Sequence, residues 1–205
     1  MSRAARKPNK DAISREGPAR PRERILAAAS DLFYRHGIRA VGVDAIAEAA
    51  GTNKMTLYRH FASKDALVAE YLRRLAAEAD AAWDAIEAAH PAEPLAQLYA
   101  WLESMKEHLV DGDDRGCALA NAAVELPEKG HPARCVIEEA KNAQRNRLVR
   151  LCRAAGIDEP EMLADELFLL LEGARVARQS MGPKGPASRL VRLGQALIAA
   201  RRKAA

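Results

Sequence analysis

The sequence predicts an all-α protein, and three observations carry that prediction. Apolar residues recur at steps of three and four along nearly all of the 205 residues. No segment shows a sustained apolar–polar alternation of the kind a strand needs, and only twelve glycines appear. Gly and Pro stand at the ends of the apolar stripes, at Gly37, Gly51, Pro91, Gly112, Pro127, Gly156 and Gly182, where they stop one helix before the next begins. The length suffices for a proper core in one or two closely packed domains.

Residues 1–20 come first and are the exception. Arg3, Arg6, Lys7, Lys10, Arg15 and Arg20 share this segment with Pro8 and Pro18, and beyond Met1 its one large apolar residue is Ile13. Such a composition cannot bury enough surface to offset its ordering entropy, so a disordered basic arm is expected. It would either lie along a polyanion or serve as a solubilising tail.

Pro21 opens the first helix, because its missing N–H would be unpaired there. Ile25, Leu26, Ala29, Leu32 and Phe33 form one stripe, and Gly37 closes the helix. Val43, Ile46, Ala47 and Ala50 stripe a second, short helix, after which Gly51 supplies a tight turn. The segment Thr52 to Phe61 follows as a third helix. Leu57 and Phe61, four apart, face inward there and leave Lys54, Met55, Thr56, Tyr58, Arg59 and His60 outside. Ser63 then caps a long helix, with Asp65 near the positive end of its dipole. Leu67, Tyr71, Leu72, Leu75, Ala79, Ala82, Trp83 and Ile86 keep one face of it apolar until His90-Pro91.

The remaining segments are also helical. Residues 93–110 carry Leu95, Leu98, Leu102, Met105 and Leu109 at helical spacing, and residues 116–126 form a shorter Ala-rich helix. His131-Pro132 opens a helix with Val136, Ala140, Ala143, Leu148 and Leu151 inside, capped at Gly156. Two more run from about Pro160 to Met181 and from Ala187 to Arg202, which makes nine. In the penultimate helix Leu163, Leu167, Leu170, Ala174, Ala177 and Met181 form one stripe, while Phe168, Leu169 and Leu171 leave other sides apolar. Leu190, Leu193, Leu197 and Ala200 line one face of the last helix, Val191 and Ile198 another. A terminal pair apolar on two sides calls for a second surface to bury, beyond one subunit's own core.

Charge is unevenly placed. Residues 1–63 hold twelve Lys/Arg against six Asp/Glu, and residues 64–205 hold twenty against twenty-two. A basic end on a slightly acidic body suits a polyanionic partner for the N-terminal part alone.

The helix, short helix, Gly turn and polar-faced third helix closely resemble the DNA-binding region of TetR-family transcriptional regulators. The residues that carry the resemblance are Ile25-Leu26, Leu32-Phe33, Gly37, Val43 with Ile46-Ala47, and Ala50-Gly51. Its most specific part is Thr56-Leu57-Tyr58-x-His60-Phe61-x-x-Lys64. The match is strong over about a fifth of the chain, and the later helices agree in number and placement. The resemblance implies residues 1–20 as arm, 21–66 as helix-turn-helix domain and 67–205 as an effector-binding and dimerisation domain. It also implies a homodimeric repressor that leaves a near-palindromic operator in double-stranded DNA when a small-molecule effector binds.

By position in the family pattern, Thr52, Asn53, Lys54, Met55 and Thr56 meet bases and nearby backbone. Lys54 has the chemistry for guanine O6/N7, Asn53 for adenine or a phosphate, and Thr56 for a thymine methyl. Tyr58, His60 and Lys64 match positions that grip the sugar-phosphate backbone, and Arg59 can do either. Val43 and Asp44, at the start of the second helix, belong to the same implied surface. Asp44 can accept from a cytosine amine or compensate the helix dipole. Two departures stand out. Gly42 replaces the usual hydroxyl residue and so loses a phosphate contact, and Met55 stands where a small residue is usual.

The family places its effector among the middle helices, and by that placement the candidates are Trp83, Ile86, Tyr99, Leu102, Met105, Cys117, Asn121, Phe168, Arg175 and Gln179. Apolar walls with a few polar groups suit a small amphiphilic or aromatic molecule. For each apolar member, ordinary core is the alternative, and for Arg175 an ion pair with Glu172, three residues away. The segment Gly116-Cys117 through Asn121 to Glu125-Leu126 is also similar to one found in some members. The family's dimer is a four-helix bundle of the terminal pair, here implying Leu163, Leu167, Leu170, Ala174, Met181, Leu190, Leu193 and Leu197.

Other chemistry is weakly supported. The three cysteines, Cys117, Cys135 and Cys152, form no CxxC pair and are expected to be reduced, mostly buried thiols of a cytoplasmic protein. His131 and Cys135 at i and i+4 lack a structural zinc spacing, so neither metal nor cofactor is expected. There is no Gly-rich phosphate loop, nucleophile elbow or HExxH pair, which argues against an enzyme. No apolar run approaches the roughly 18 residues of a membrane span. The competing reading is a helical protein-interaction module that no longer reads DNA specifically.

Overall fold

The structure, a computed structural model, describes residues 20–111 and 115–202, so the basic arm lies outside it apart from Arg20. Among the described residues there are nine α-helices and one 3-10 turn. They are α1 (Pro21–His36), α2 (Val43–Ala49), α3 (Lys54–His60), α4 (Lys64–Ala89), α5 (Pro94–Asp111), α6 (Ala118–Glu125), α7 (Pro132–Ala154), α8 (Pro160–Met181) and α9 (Leu190–Ala200).

Local chemistry sets most of the boundaries. Pro stands first in α1, α5, α7 and α8, where no N–H is needed. The Asn53 side chain accepts from Thr56 N at 2.9 Å, the Ser63 hydroxyl from Ala66 N at 3.0 Å, and His131 Nδ1 from Ala133 N at 3.1 Å. Each bond satisfies an N–H that a helix start leaves unpaired.

Several boundaries differ from expectation, and the Ala-rich helix starts at Ala118 rather than at residue 116. The third helix starts at Lys54 rather than Thr52, because Asn53 in extended conformation is its cap. The last helix is preceded by a 3-10 turn, Pro186–Arg189, which covers the residues expected to begin it.

The buried side chains form two clusters. The first joins α1, α2 and α3 to the N-terminal half of α4 and to α6 and α7, through residues such as Ile25, Phe33, Ile46, Leu57, Leu67, Tyr71, Leu119 and Ile137. The second joins the end of α4 to α5, α7, α8 and α9, through Trp83, Trp101, Leu102, Leu148, Leu167 and Ile198. Both use α4 and α7, so the three-helix head is not packed separately from the body. Gly194 is needed where α9 crosses α5: a Cβ there would lie 2.6 Å from a Leu102 methyl.

The inner stripe of the terminal pair belongs to one subunit. Leu163, Leu167, Ala174 and Leu190 are buried within the second cluster, so the expected interface stripe is in large part protomer core. Helical periodicity finds an apolar face but does not say which neighbour covers it. Two of the expected interface residues, Met181 on α8 and Leu193 on α9, are exposed, and Met162, Leu169 and Val176 add exposed apolar surface on other sides of α8. Leu170 and Leu197 are half-buried. Of the thiols, Cys152 is buried, Cys117 half-buried and Cys135 exposed, so the last departs from the expected burial.

Candidate nucleic-acid interface and ligand cavity

The outer face of α3 is built on two anchors. Leu57 is fully enclosed and Phe61 nearly so, and they fix which side of the short helix faces out. On that side Met55 is 80% exposed, and Lys54, Tyr58 and Arg59 are also exposed. Lys54 Nζ lies 3.2 Å from Asp44 Oδ2, an exposed pair of little net worth that a nucleic acid can break at small cost. Thr52 and Thr56 are half-buried.

Some expected contact residues carry structural duties as well. The Asn53 side-chain oxygen is taken by the cap bond, which leaves its amide N–H groups for recognition. Val43 is half-buried against the head core, so its side chain is not a free reading group. His60 is half-buried, with Nε2 enclosed and without a hydrogen-bond partner. Lys64 is half-buried at the start of α4. Burial lowers the pKa of its ammonium, while Asp65 and Glu125 pull the other way.

A cavity of about 580 Å³ lies where the two core clusters meet. Trp83, Ile86, Met105, Cys117, Phe168 and Arg175 line it, as the family placement implied. Tyr99, Leu102, Asn121 and Gln179 do not. Leu102 is 1% exposed and packed against Gly194, and Tyr99 packs on the second cluster. Asn121 donates to the Arg115 carbonyl at 2.6 Å, and Gln179 sits over Gly116. Helical spacing alone could not separate these inward positions from cavity positions.

Sequence reasoning missed several wall residues: Ser30, Asp31 and Tyr34 of α1, Tyr71 and Glu78 of α4, Trp101 of α5, and Gln144 and Leu148 of α7. Trp101 belongs to the stripe with Leu98 and Leu102, and its size was the available signal. Trp83 and Trp101 stack with ring centroids 5.6 Å apart and planes 11° from parallel. The Lys141 ammonium lies 5.6 Å from the Phe168 ring centre.

The cavity and the head share elements. The lead-in and first residues of α6, from Gly116 to Leu119, form part of the wall. Its other end reaches the α1–α2 loop, where Glu125 Oε2 accepts from Arg39 N at 2.9 Å. The Glu125 carboxylate packs so closely on Gly37 that a Cβ there would lie 3.0 Å from it. Gly37 has φ +87°, which suits glycine. Arg39 Nη2 adds a bond to Glu128 at 3.0 Å, and Arg115 Nε donates to the Tyr34 carbonyl at 3.0 Å.

A three-helix head with an exposed polar third helix, set on an α-helical body with a cavity between them, defines a helix-turn-helix DNA-binding transcriptional regulator. Known proteins agree. The model of the family described as bacterial regulatory proteins, tetR family, matches residues 25–71. The crystal structure of a TetR-type transcriptional regulator from Streptomyces avermitilis shares 30% identity, with a TM-score of 0.74, over 89% of this chain and 98% of that one. A TetR-family transcriptional regulator from Streptomyces coelicolor superposes with a TM-score of 0.84 at 27% identity, covering 89% of this chain and 96% of its own. The HTH-type transcriptional regulator YjdC of Escherichia coli is 26% identical over 155 residues, 74% of this chain and 80% of YjdC. The chain belongs to the TetR family. Among its described residues no helix is long and apolar enough to cross a membrane.

Proposed function

We propose that the protein is a cytoplasmic, homodimeric repressor, without enzymatic activity, that leaves a near-palindromic operator when a small molecule fills the cavity. The observation that carries this reading is the double use of α6. Its first turn is cavity wall and its last residue, Glu125, holds the α1–α2 loop of the head. A ligand that displaces Gly116–Leu119 therefore shifts the support of Gly37 and Arg39. The cavity also touches α1 and α4 directly, through Tyr34 and Tyr71.

In this reading residues 21–66 read DNA and residues 67–205 bind effector and dimerise. Lys54, Met55, Thr56 and the Asn53 amide meet base edges. Tyr58, Arg59, His60 and Lys64 hold the backbone. The enclosed His60 nitrogen is a cost in the free protein, which turning toward a phosphate removes. Dimerisation buries the outer faces of α8 and α9, where Leu169 is 68% and Val176 64% exposed. A two-fold axis there gives two heads and hence two half-sites.

The test is a reporter driven by the DNA upstream of the protein's own gene. Supplying the protein should lower expression, and a double variant Lys54→Ala/Tyr58→Ala should not. Raised expression would replace the repressor by an activator.

A further inference from the structure

We infer that the cavity selects an apolar monocarboxylate, with its carboxylate on Arg175 and its body against the Trp83–Trp101 stack. This rests on the reading of the cavity as the effector site and adds the ligand's chemical class. The determining feature is an ion cluster behind one wall, which reaches the cavity through Arg175. Glu172 Oε2 lies 2.8 Å from Lys141 Nζ, and Glu172 Oε1 lies 2.8 Å from Arg175 Nη1. One carboxylate thus serves two cations. Their side chains keep only 18% and 22% of their exposure, so the surplus positive charge is poorly served by water. A ligand carboxylate completes the second pair, and a guanidinium can receive it through two parallel bonds.

The remaining surface orients such a ligand. Asp31 and Glu78 also line the cavity, but each is 57% exposed and already paired, with Arg35 at 2.7 Å and Arg74 at 2.9 Å. They offer an anionic head no donor, and the other lining guanidinium, Arg178, spends its Nε on the Leu109 carbonyl at 2.6 Å, which leaves Arg175 as the seat. The body then rests on stacked indoles and on Phe168, which offer contact area without requiring hydrogen bonds. A neutral alcohol of the same shape would bury the same apolar area and leave the surplus charge unanswered.

The chain's two tryptophans both line the cavity, so intrinsic fluorescence of the full-length protein reports occupancy. Decanoate, decanol and decylammonium are titrated below their aggregation limits, with biphenyl carboxylate and biphenylmethanol as a ring-bodied pair. The expected result is a preference of about tenfold or more for a carboxylate over its alcohol, the scale of a charge-assisted hydrogen bond. Arg175→Gln should abolish that preference, and Glu172→Gln, which frees a further positive charge, should increase it. The chain and ring pairs together decide which body fits. Equal binding of acid and alcohol, a preference for the ammonium, or no binding by either carboxylate would overturn the inference. DNA affinity, measured separately without ligand, tests the regulator reading, so the two fail independently.

Discussion

Gly37→Ala is the substitution that most directly probes the junction between cavity and head. At φ +87°, ψ 156°, Gly37 occupies a region that L side chains rarely enter, and forcing one there costs about 1–3 kcal/mol. The new methyl would also stand 3.0 and 3.1 Å from the two Glu125 carboxylate oxygens. Glu125 can escape by rotating away, at the loss of its bond to Arg39 N, worth about 0.5–1.5 kcal/mol. The two costs separate in a double-mutant cycle with Glu125→Ala. Backbone strain persists in the Glu125→Ala background and crowding does not, so a coupling of about 0.5 kcal/mol or more is expected. Thermal and denaturant unfolding supply the four free energies, with about 2–4 °C in Tm per kcal/mol for a chain of this size. A cost for Gly37→Ala below about 0.5 kcal/mol, or strict additivity, would refute the close contact between α6 and the head.

Asn53→Ala should cost about 1 kcal/mol through loss of the α3 cap, whereas Asn53→Asp keeps the cap but sets a negative charge facing DNA, so melting recovers while operator affinity does not. Leu169→Glu/Val176→Glu should convert dimer to monomer in light scattering and weaken operator binding, and an unchanged dimer would place the interface elsewhere. Acid should destabilise the α1–α4 and α4–α7 junctions. The hydrogen bond from Arg22 holds the Glu70 carboxyl below its ordinary 4.5, and that from Arg147 does the same for Glu87. A depressed carboxylate stabilises the fold fully above its unfolded value and loses that contribution as pH falls through the folded one. Melting temperature should therefore fall more steeply below about pH 4.5 in the parent than in Arg147→Met, and parallel profiles would count against the pairing.

Much of the head was legible in the sequence because its signals are local. Gly37, Gly51, Ser63 and His90-Pro91 mark boundaries by backbone chemistry, and the four-residue step from Leu57 to Phe61 fixes the inward side of the third helix. The Asn53 cap was not read, which placed the helix start two residues early. The body was harder. Helical stripes identified α5, α7, α8 and α9, yet Leu163 and Leu167 face their own subunit and Leu169 and Val176 face outward. That choice depends on how long helices are arranged, which spacing does not encode. The cavity was legible through Trp83, Phe168 and Arg175, but Tyr34 comes from a helix assigned to the head, and Tyr71 was read only as part of the apolar stripe of the fourth helix. Glu125 was visible only as part of a similar segment. Its contact with Arg39 spans 86 residues and has no sequence signature.

The most direct test of DNA reading by α3 is fluorescence anisotropy on labelled DNA from upstream of the protein's own gene, with scrambled DNA as competitor, at two salt concentrations. The account predicts binding that survives the competitor, weakens with salt as phosphate contacts require, and disappears in Lys54→Ala/Tyr58→Ala. If that variant binds as tightly as the parent, or if no genomic fragment is preferred over scrambled DNA, then α3 does not read DNA and the protein-interaction reading replaces it.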